Sequence, residues 1–374
     1  MAVRVAFVSH HPHLRMGGQR SMMLLIEHLD RRQVEPLVIC PGPGDLTDRL
    51  TAIACPVVHI PLHHIKPRTL RRVWASSRRI RAVLRAREID VIAPDAARDV
   101  LTCGLAKLGT TTRMVWFVRL TAGYPLDPLL ERLADGLIGV SNDTRRRFAP
   151  SRRVTAKYRT ILDGADLRRF QPAPDRRAVR RRLGLPVDRP VLVFVGQVKE
   201  AKGVLDVVDA MTMLRREGQD VEMPLLLVIG TPSPPEIVGQ LGRRAAEGGV
   251  ARDIQVLPQQ GDIHEWMQAA DLLISASHQD TEGLSRVLYE AMACGTVPVA
   301  TDIRGNREAL TTTTGTLVPE RSPLELARAV RALLGDPVRR ATMAAAGVER
   351  ARDQYDIRRQ ARQVEEFYHE VLQR

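Results

Sequence analysis

The sequence is poor in cysteine, in lysine and in long apolar runs, and each shortage narrows the class of protein. Its 374 residues contain no run of 18 apolar residues, so we expect no membrane-spanning helix. The N-terminus lacks the charged start, long apolar middle and small-residue cleavage site of a signal peptide. Four cysteines lie scattered without a CxxC pair, which predicts reduced thiols, no zinc site and a cytoplasmic protein.

Lysine is scarce although the chain is strongly basic. Only five of the 56 basic residues are lysines, and the formal net charge is +13. Such arginine bias often reflects genome base composition, but positive charge also attracts nucleotides, nucleic acids and anionic membranes. We expect no nucleic-acid partner, because the arginines are spread over many segments and no zinc finger, RNA-binding aromatic motif or basic zipper is present.

The order of apolar segments predicts two α/β domains in series. Strand-like and helix-like segments alternate in each half, a rhythm typical of a parallel sheet covered on both faces. Residues 164–190, rich in proline and arginine, are interpreted as a linker. The predicted domains are two Rossmann-like units, 1–168 and 169–355, and an amphipathic C-terminal helix at about 356–374 is expected to pack back on the first.

Ligands of open parallel sheets bind beyond the carboxyl ends of the strands. Two such domains facing across a cleft are therefore expected to carry the function in loops that follow strands. The first such loop lies in "SHHPHLRMGGQRSMMLLIEHL". There Gly17 and Gly18 would let the backbone approach a ligand, and the following helix would offer N–H groups to an anion. The stretch is not the GxGxxG fingerprint, and a plain flexible turn fits it about as well.

Three histidines in the same loop raise the question of a metal. His10, His11 and His13 have no neighbouring carboxylate or cysteine in the sequence. Loop histidines of this kind are more often solvent-facing than ligands, so no metal is expected.

A second loop lies in "VFVGQVKEAKGVLDVVDAM", at the start of the second half. It carries Lys199 and Lys202, two of the five lysines, directly after a predicted strand. A lysine there is a compact, far-reaching charge suited to a phosphate. The alternative is an ordinary solvated loop.

The third stretch is "EGLSRVLYEAMACG", which places Glu282 at the start of a helix and Glu290 eight residues further. Eight helical residues rise about 12 Å. The carboxyl pair of a glycoside hydrolase is only about 5–9.5 Å apart, so these glutamates are predicted to contact opposite ends of one extended ligand such as a nucleotide sugar. The alternatives are a helix-start residue favoured by the helix dipole and a solvent-facing helix residue.

These stretches resemble the glycosyltransferases of family 4, which share the GT-B fold. The resembling residues are "VFVGQVKEAKG", "DLLISASHQDTEGLSRVLYEAMACGTVPVATDIRGNREAL" and "TGTLVPE", preceded by "GGQRSMMLLIEHLD" and "RTILDGADLRRFQP". The resemblance covers nearly the whole chain. It implies a retaining hexosyltransferase with a nucleotide-sugar donor and without metal or cofactor, and the sequence has no DxD motif to hold a metal.

The resemblance also implies a role for each site residue. Glu282 would bind hydroxyls of the donor sugar, Glu290 the ribose, and Lys202 would neutralise the leaving diphosphate. Backbone N–H groups near the helix start would face the sugar and diphosphate, and the glycine pair would approach the phosphates. These backbone positions are Gly283, Leu284 and Ser285, with Gly17 and Gly18 in the first domain.

The sequence departs from the family at three positions. Gln197 stands where an arginine is frequent, and Lys199 is expected to substitute for its charge. Arg119 stands where a histidine often lies near the sugar. Arginine cannot act as a base, so Arg119 is expected to clamp an acidic acceptor or a phosphate. Asp163 stands where asparagine is usual.

A basic segment at residues 69–87 is the candidate contact with a membrane. An apolar stripe runs along it, and seven arginines cover much of the rest. One interpretation is peripheral binding to an anionic inner membrane surface. The other is that the stripe packs on the sheet and the arginines are solvated. The stripe comprises Leu70, Val73, Trp74, Ser77, Ile80 and Leu84.

Three points stay open in the sequence. The acceptor, whether a sugar, a lipid-linked group or a small molecule, is not identified, and neither are the base and sugar of the donor. The product is expected to be a polysaccharide, a glycolipid or a glycosylated metabolite. The departures at Gln197 and Arg119 also allow a catalytically silent nucleotide-sugar binder. An epimerase or phosphorylase of the same fold is the remaining alternative, although no lysine has the flanking signals of a pyridoxal site.

Overall fold

The computed structural model describes residues 2–14, 17–217, 222–279 and 283–374. The chain divides into two compact units, Met1–Gly164 with Ile357–Arg374, and Ala165–Asp356. The sequence-based limits were 168 and 355. The resemblance also implies that the first domain binds the acceptor and the second the nucleotide-sugar donor, and this assignment stays a prediction.

The first unit is built on a seven-stranded parallel sheet with the order β3-β2-β1-β4-β5-β6-β7. The inner strands are buried on both faces, as expected where helices cover both sides of a parallel sheet, and the two edge strands are partly exposed. The first six strands lie where the sequence predicted them. β7 has three residues and was not predicted. The strands are β1 (Val3–Val8), β2 (Val34–Cys40), β3 (Val57–His59), β4 (Val91–Pro94), β5 (Arg113–Val118), β6 (Gly136–Gly139) and β7 (Tyr158–Thr160).

Among the described residues, seven helices of the first unit accompany this sheet. The last of them comes from the C-terminus of the chain: Phe367 and Tyr368 are buried in the same core as β1 and the first helix. This confirms that the C-terminal helix returns to the first domain. The helices are α1 (Gly17–His28), α2 (Asp45–Ala52), α3 (Leu70–Ala86), α4 (Ala97–Lys107), α5 (Asp127–Leu133), α6 (Arg152–Lys157) and α15 (Ile357–Gln373).

The second unit is built on a six-stranded parallel sheet with the order β10-β9-β8-β11-β12-β13. Its strands also match the predicted segments, except that β13 was not predicted. The strands are β8 (Val191–Val195), β9 (Leu225–Ile229), β10 (Ile254–Leu257), β11 (Leu272–Ser275), β12 (Val297–Thr301) and β13 (Thr316–Val318).

In the described part of the second unit, eight helices accompany the sheet. They are α7 (Arg176–Arg182), α8 (Val204–Arg216), α9 (Ile237–Glu247), α10 (Ile263–Ala269), α11 (Arg286–Ala293), α12 (Arg304–Ala309), α13 (Pro323–Gly335) and α14 (Pro337–Gln354). The interpretation of residues 164–190 as a linker is corrected by α7. Its Arg180 is buried and its Nη2 donates to Asp271 Oδ2 over 2.6 Å, so the arginine-rich stretch is part of the second unit.

Within the described residues, no helix combines the length and the apolar character needed to cross a bilayer.

Candidate functional site

The order of strands in the second unit reverses between β8 and β11. These two strands are neighbours, yet the chain leaves β8 towards β9 on one side and later returns to β11 on the other. Crevices at such a switch point bind the ligands of open α/β sheets. The loop that follows β8 carries Gln197, Lys199 and Lys202, and the loop that follows β11 leads to Gly283–Ser285. The topology therefore brings the two predicted loops to the same edge of the sheet.

The lysine loop is fixed against the loop after β11. Gly203 follows the 3-10 turn Glu200–Lys202 and has φ of 68°, a left-handed conformation. A Cβ at Gly203 would lie 2.0 Å from the carbonyl oxygen of Ala276. The His278 N–H also donates to the Ala201 carbonyl oxygen over 3.0 Å. Glycine is thus required for the contact that holds Lys202 beside this loop.

A partly buried polar pair joins the same two segments. His278 Nε2 lies 2.9 Å from Asp206 Oδ2 in α8. The pair joins the loop after β11 to the helix that follows the lysine loop. The pair of His278 and Asp206 could not be predicted from the sequence, because the two residues lie 72 positions apart.

The loop after β11 leads into the start of α11. Gly283, Leu284 and Ser285 are buried, and Ser285 is the residue before the helix, with no side-chain capping hydrogen bond. The first N–H groups of a helix have no partner within it, so this end can serve an anion. The predicted sugar-binding residue Glu282 lies outside the described residues.

Glu290 is buried within α11, which contradicts the alternative of a solvent-facing residue. Its exposed fraction is 6%. Arg286, one turn earlier, donates from Nη2 to Glu290 Oε1 over 2.7 Å. The second oxygen, Oε2, accepts no hydrogen bond from any residue the structure describes. A buried carboxylate held on one side by arginine and open on the other can accept hydrogen bonds from a diol.

In the first unit, the order of strands reverses between β1 and β4, and the predicted glycine pair lies beside this point. Gly17 and Gly18 are the first residues of α1. A Cβ on Gly18 would lie 2.7 Å from Asp95 Oδ2 and 3.3 Å from Arg119 Cδ. Glycine is needed at position 18 because an ion pair occupies the space beside it. The structure thus brings Gly18 and Arg119 together.

Arg119 bridges two buried carboxylates. Its Nε donates to Asp95, and its Nη1 donates to Asp163 Oδ2 over 2.6 Å. Asp163 in turn accepts from Ser21 of α1 and from Gln360 of α15, each over 2.9 Å. The third nitrogen, Nη2, forms no hydrogen bond within the described parts of the chain. The predicted clamp on an acceptor or phosphate therefore has one nitrogen left for it, and stays a prediction.

The charges of this network set each other's protonation. Burial alone would lower the pKa of Arg119, but Asp163 and Asp95 raise it above its ordinary value. Burial raises the pKa of Asp95, and the Arg119 charge opposes that shift. Arg119 therefore stays cationic, and its charge opposes the effect of burial on Asp95.

The expectation that the loop histidines face solvent is wrong for His10. His10 is 9% exposed, and its Nδ1 lies 2.9 Å from Asp99 Oδ1 in α4. His13 is more open and lies 3.1 Å from Asp45 Oδ1. Both carboxylates come from distant parts of the sequence, so the sequence alone did not show them.

The basic segment forms α3, and its stripe divides into two parts. Val73, Ser77, Ile80 and Leu84 are buried against the sheet, as one interpretation held. Leu70 and Trp74, at the N-terminal end of α3, are 53% and 58% exposed. The stripe therefore packs on the sheet for most of its length and leaves two apolar side chains uncovered.

Family models match both halves of the chain. Residues 16–169 match "Glycosyltransferase Family 4", and residues 175–350 match "Glycosyl transferases group 1". Each half of the chain is therefore similar to a glycosyltransferase domain. The Family 4 match contains Gly18 and Arg119, and the group 1 match contains the lysine loop and Glu290.

Curated glycosyltransferases match this chain over part of their length. A D-inositol 3-phosphate glycosyltransferase of Jonesia denitrificans is 35% identical over 206 residues, which cover 53% of this chain and 48% of the relative. A protein of the same name from Kribbella flavida is 36% identical over 203 residues, 52% of this chain and 47% of the relative. The matched region thus spans about half the length of these relatives.

Solved structures share the fold over nearly the whole chain. A glycosyltransferase from Rickettsia africae has a TM-score of 0.86 at 17% identity and covers 99% of both chains. Anabaena HepE, solved in complex with UDP and glucose, has a TM-score of 0.82 at 19% identity and covers 97% of this chain and 98% of its own. These likenesses confirm the predicted GT-B fold of two Rossmann-like domains.

Proposed function

We propose that the protein is a glycosyltransferase that moves a hexose from a nucleoside-diphosphate sugar to an acceptor hydroxyl with retention of anomeric configuration, without a metal or cofactor. The observation that carries the proposal is Glu290. It is a buried carboxylate with one oxygen held by Arg286 and the other open, on the helix that begins at the switch point of the group 1 domain. The product is a polysaccharide, a glycolipid or a glycosylated metabolite.

Different site residues bind different parts of the donor. Glu290 takes the ribose hydroxyls, Glu282 the sugar hydroxyls, and the backbone N–H groups of Gly283–Ser285 the sugar and diphosphate. In the transfer, the bond between the anomeric carbon and the phosphate oxygen breaks, and its electron pair goes to the diphosphate. The acceptor oxygen bonds to the anomeric carbon, and its proton passes to the departing phosphate oxygen. Lys202, with Lys199 and Gln197 in the same loop, stabilises that developing negative charge.

The names of similar proteins supply the first substrates to try. HepE has also been solved with UDP-glucose, and the curated relatives are named for D-inositol 3-phosphate. UDP-glucose is therefore the first donor and D-inositol 3-phosphate the first acceptor, followed by other bases and other hydroxyl-bearing acceptors.

The test is the product formed from donor labelled with ¹³C at the anomeric carbon. NMR should show loss of the donor signal, release of the free nucleoside diphosphate and an α-linked product from an α-linked donor. A β-linked product would contradict retention. Binding of the nucleotide sugar without release of nucleotide, across donors and acceptors, would favour the catalytically silent binder.

We also propose that the protein is cytoplasmic and meets the inner membrane surface through residues 69–87. Leu70 and Trp74 are exposed at one end of α3, and Arg71 and Arg72 lie exposed beside them. Arg78 lies over the Trp74 ring at 4.9 Å. Exposed apolar side chains flanked by arginines favour the interface of an anionic bilayer.

The membrane proposal is tested by sedimentation with vesicles at low salt. The wild type should sediment with phosphatidylglycerol-rich vesicles and remain in solution with phosphatidylcholine vesicles. The double variant L70S/W74S should lose most of this binding, because it removes the apolar part of the contact. The matched control is L129S, at another exposed leucine of the same domain. Equal recovery of the wild type with both vesicle types would refute the proposal.

A further inference from the structure

Three histidine rings meet at the carboxyl end of β1. His10 and His11 follow β1, and His64 lies after β3. The ring centroid of His10 lies 5.2 Å from that of His11 and 5.0 Å from that of His64. Both contacts are edge-on. Because β1 is the strand at which the order of the first sheet reverses, the group lies at the edge where such sheets bind ligands.

Asp99 fixes the orientation and tautomer of the central ring. It lies in the first turn of α4 and is only 1% exposed, and its Oδ1 is 2.9 Å from His10 Nδ1. An ionised carboxylate can only accept, so Nδ1 of a neutral His10 carries the proton and Nε2 is an acceptor. Nε2 has no hydrogen-bond partner in the described part of the protein. The pair therefore presents an oriented, unused acceptor.

Positive charge surrounds this acceptor. Arg98 is half-buried next to Asp99 and makes no ion pair or hydrogen bond with the residues described. Burial lowers the pKa of His11, and the charges of His10 and Arg98 lower it further. The pKa of His64 is lowered by desolvation and by the charges of His10, Arg98 and Lys66. The charge of Arg98 thus lowers the pKa of both outer rings, and the Asp99 carboxylate opposes that shift in both.

We propose that this histidine site, formed by His10, His11, His64, Arg98 and Asp99, binds a phosphate monoester that also carries hydroxyl groups, and that this ligand is the acceptor. His10 Nε2 accepts a hydrogen bond from a hydroxyl. Arg98 holds the phosphate, because a guanidinium binds two phosphate oxygens at once and an uncommitted one is available here. His11 and His64 donate to the remaining oxygens. The assignment as acceptor site rests on the proposed function.

A purely architectural role explains less of what is seen. The bond between His10 and Asp99 ties the loop after β1 to α4, which would account for the burial of both residues. It does not account for an arginine left without a carboxylate beside them. Many arginines of the same domain have one: Arg147 pairs with Asp127, Arg153 with Glu131 and Arg119 with two aspartates.

The experiment is calorimetric titration of the full chain with D-inositol 3-phosphate, with and without UDP. Inositol and inorganic phosphate serve as separate probes of the two halves of the ligand. The inositol phosphate should bind at least tenfold more tightly than either probe. R98A should weaken it at least tenfold, and H10F should weaken it by a similar factor. R113A is the matched control, since Arg113 is an exposed arginine of the same domain that already faces Asp135, and it should change nothing.

The outcomes separate this proposal from the proposed function. Equal affinity for inorganic phosphate and the inositol phosphate would mean an adventitious ion only, and would overturn the hydroxyl role. If D-inositol 3-phosphate, glycerol 3-phosphate and glucose 6-phosphate all fail to bind while UDP does bind, the histidine site is refuted and the donor site stands. If the inositol phosphate binds with the expected loss in R98A while no nucleotide binds, the histidine site stands and the transferase proposal fails.

A spectroscopic measurement covers the case in which H10F does not fold. The ¹⁵N signals of the wild-type His10 ring should show a protonated Nδ1 and a bare Nε2, and the Nε2 signal should shift on addition of the inositol phosphate. The opposite tautomer, or an Nε2 signal unmoved by a saturating phosphate ester, would overturn the proposal.

Discussion

Replacement of Arg119 by methionine should destabilise the first domain strongly at neutral pH. The side chain of Arg119 is 15% exposed, and those of Asp95 and Asp163 are 8% and 7% exposed, so its loss leaves two buried carboxylates without their cation. Removing one partner of a buried ion pair costs about 3–5 kcal/mol. For a domain of this size that corresponds to a fall in melting temperature of roughly 6–20 °C.

The effect should depend on pH with a definite sign. Burial already raises the pKa of Asp95, and Arg119 opposes that shift, so R119M raises the pKa further. A carboxyl whose pKa is higher in the folded state than in the unfolded state favours folding when protonated. The deficit of R119M should therefore be largest at pH 7.5 and shrink as the pH falls towards the unfolded value near 3.9.

Thermal unfolding of R119M at pH 7.5 and pH 5 measures both parts. The matched control is R113M, whose partner Asp135 is 3.7 Å away and whose side chain is 41% exposed, and it should lie within about 1 kcal/mol of wild type. Addition of D95N and D163N to R119M should restore most of the lost stability. A melting temperature of R119M within 2 °C of wild type at pH 7.5 would refute the reasoning.

Two further predictions concern the second domain and the thiols. G203A should lower the stability of the second domain by more than about 1 kcal/mol and weaken nucleotide binding, because position 203 has φ of 68° and a Cβ there would meet the Ala276 carbonyl. An unchanged melting temperature and nucleotide affinity would contradict this. The control for φ alone is G184A, because Gly184 has a similar φ but open space around its Cβ position. All four cysteines are buried, and burial raises the pKa of each thiol, so Ellman's reagent should find no fast-reacting thiol in the native protein and four after unfolding; rapid reaction of a native thiol would show that its surroundings are more open.

The sequence predicted the long buried elements well, because their apolar residues recur with a clear period. β7 and β13 have only three residues each and carry no such period, so they were not predicted. The segment that contains α7 was interpreted as a linker, because its prolines and arginines gave no helical pattern of apolar residues over this seven-residue helix. Its stability rests on contacts such as that between Arg180 and Asp271, which lie 91 positions apart.

Site residues that belong to one short sequence motif could be predicted from the sequence. The helix containing Glu290 and the glycine at position 18 belong to that class. The partners that orient these residues were not predictable, because the fold brings them from elsewhere. Asp95 reaches Arg119 from the end of β4, and Asp99 reaches His10 across 89 positions. An aspartate directly after a buried strand, as in "VIAPD", was the one signal that pointed to Asp95.

The central claim is that Glu290 holds the ribose of a nucleoside diphosphate. The most direct test is thermal unfolding of wild type, E290A and E325A against a panel of nucleoside diphosphates and their sugars. Glu325 is the matched control, since it pairs with an arginine of its own helix but lies exposed. One base at 100 times its dissociation constant should stabilise wild type and E325A by about 2.7 kcal/mol and leave E290A unmoved. Equal stabilisation of E290A, or no response of the wild type to any nucleotide, would contradict the account.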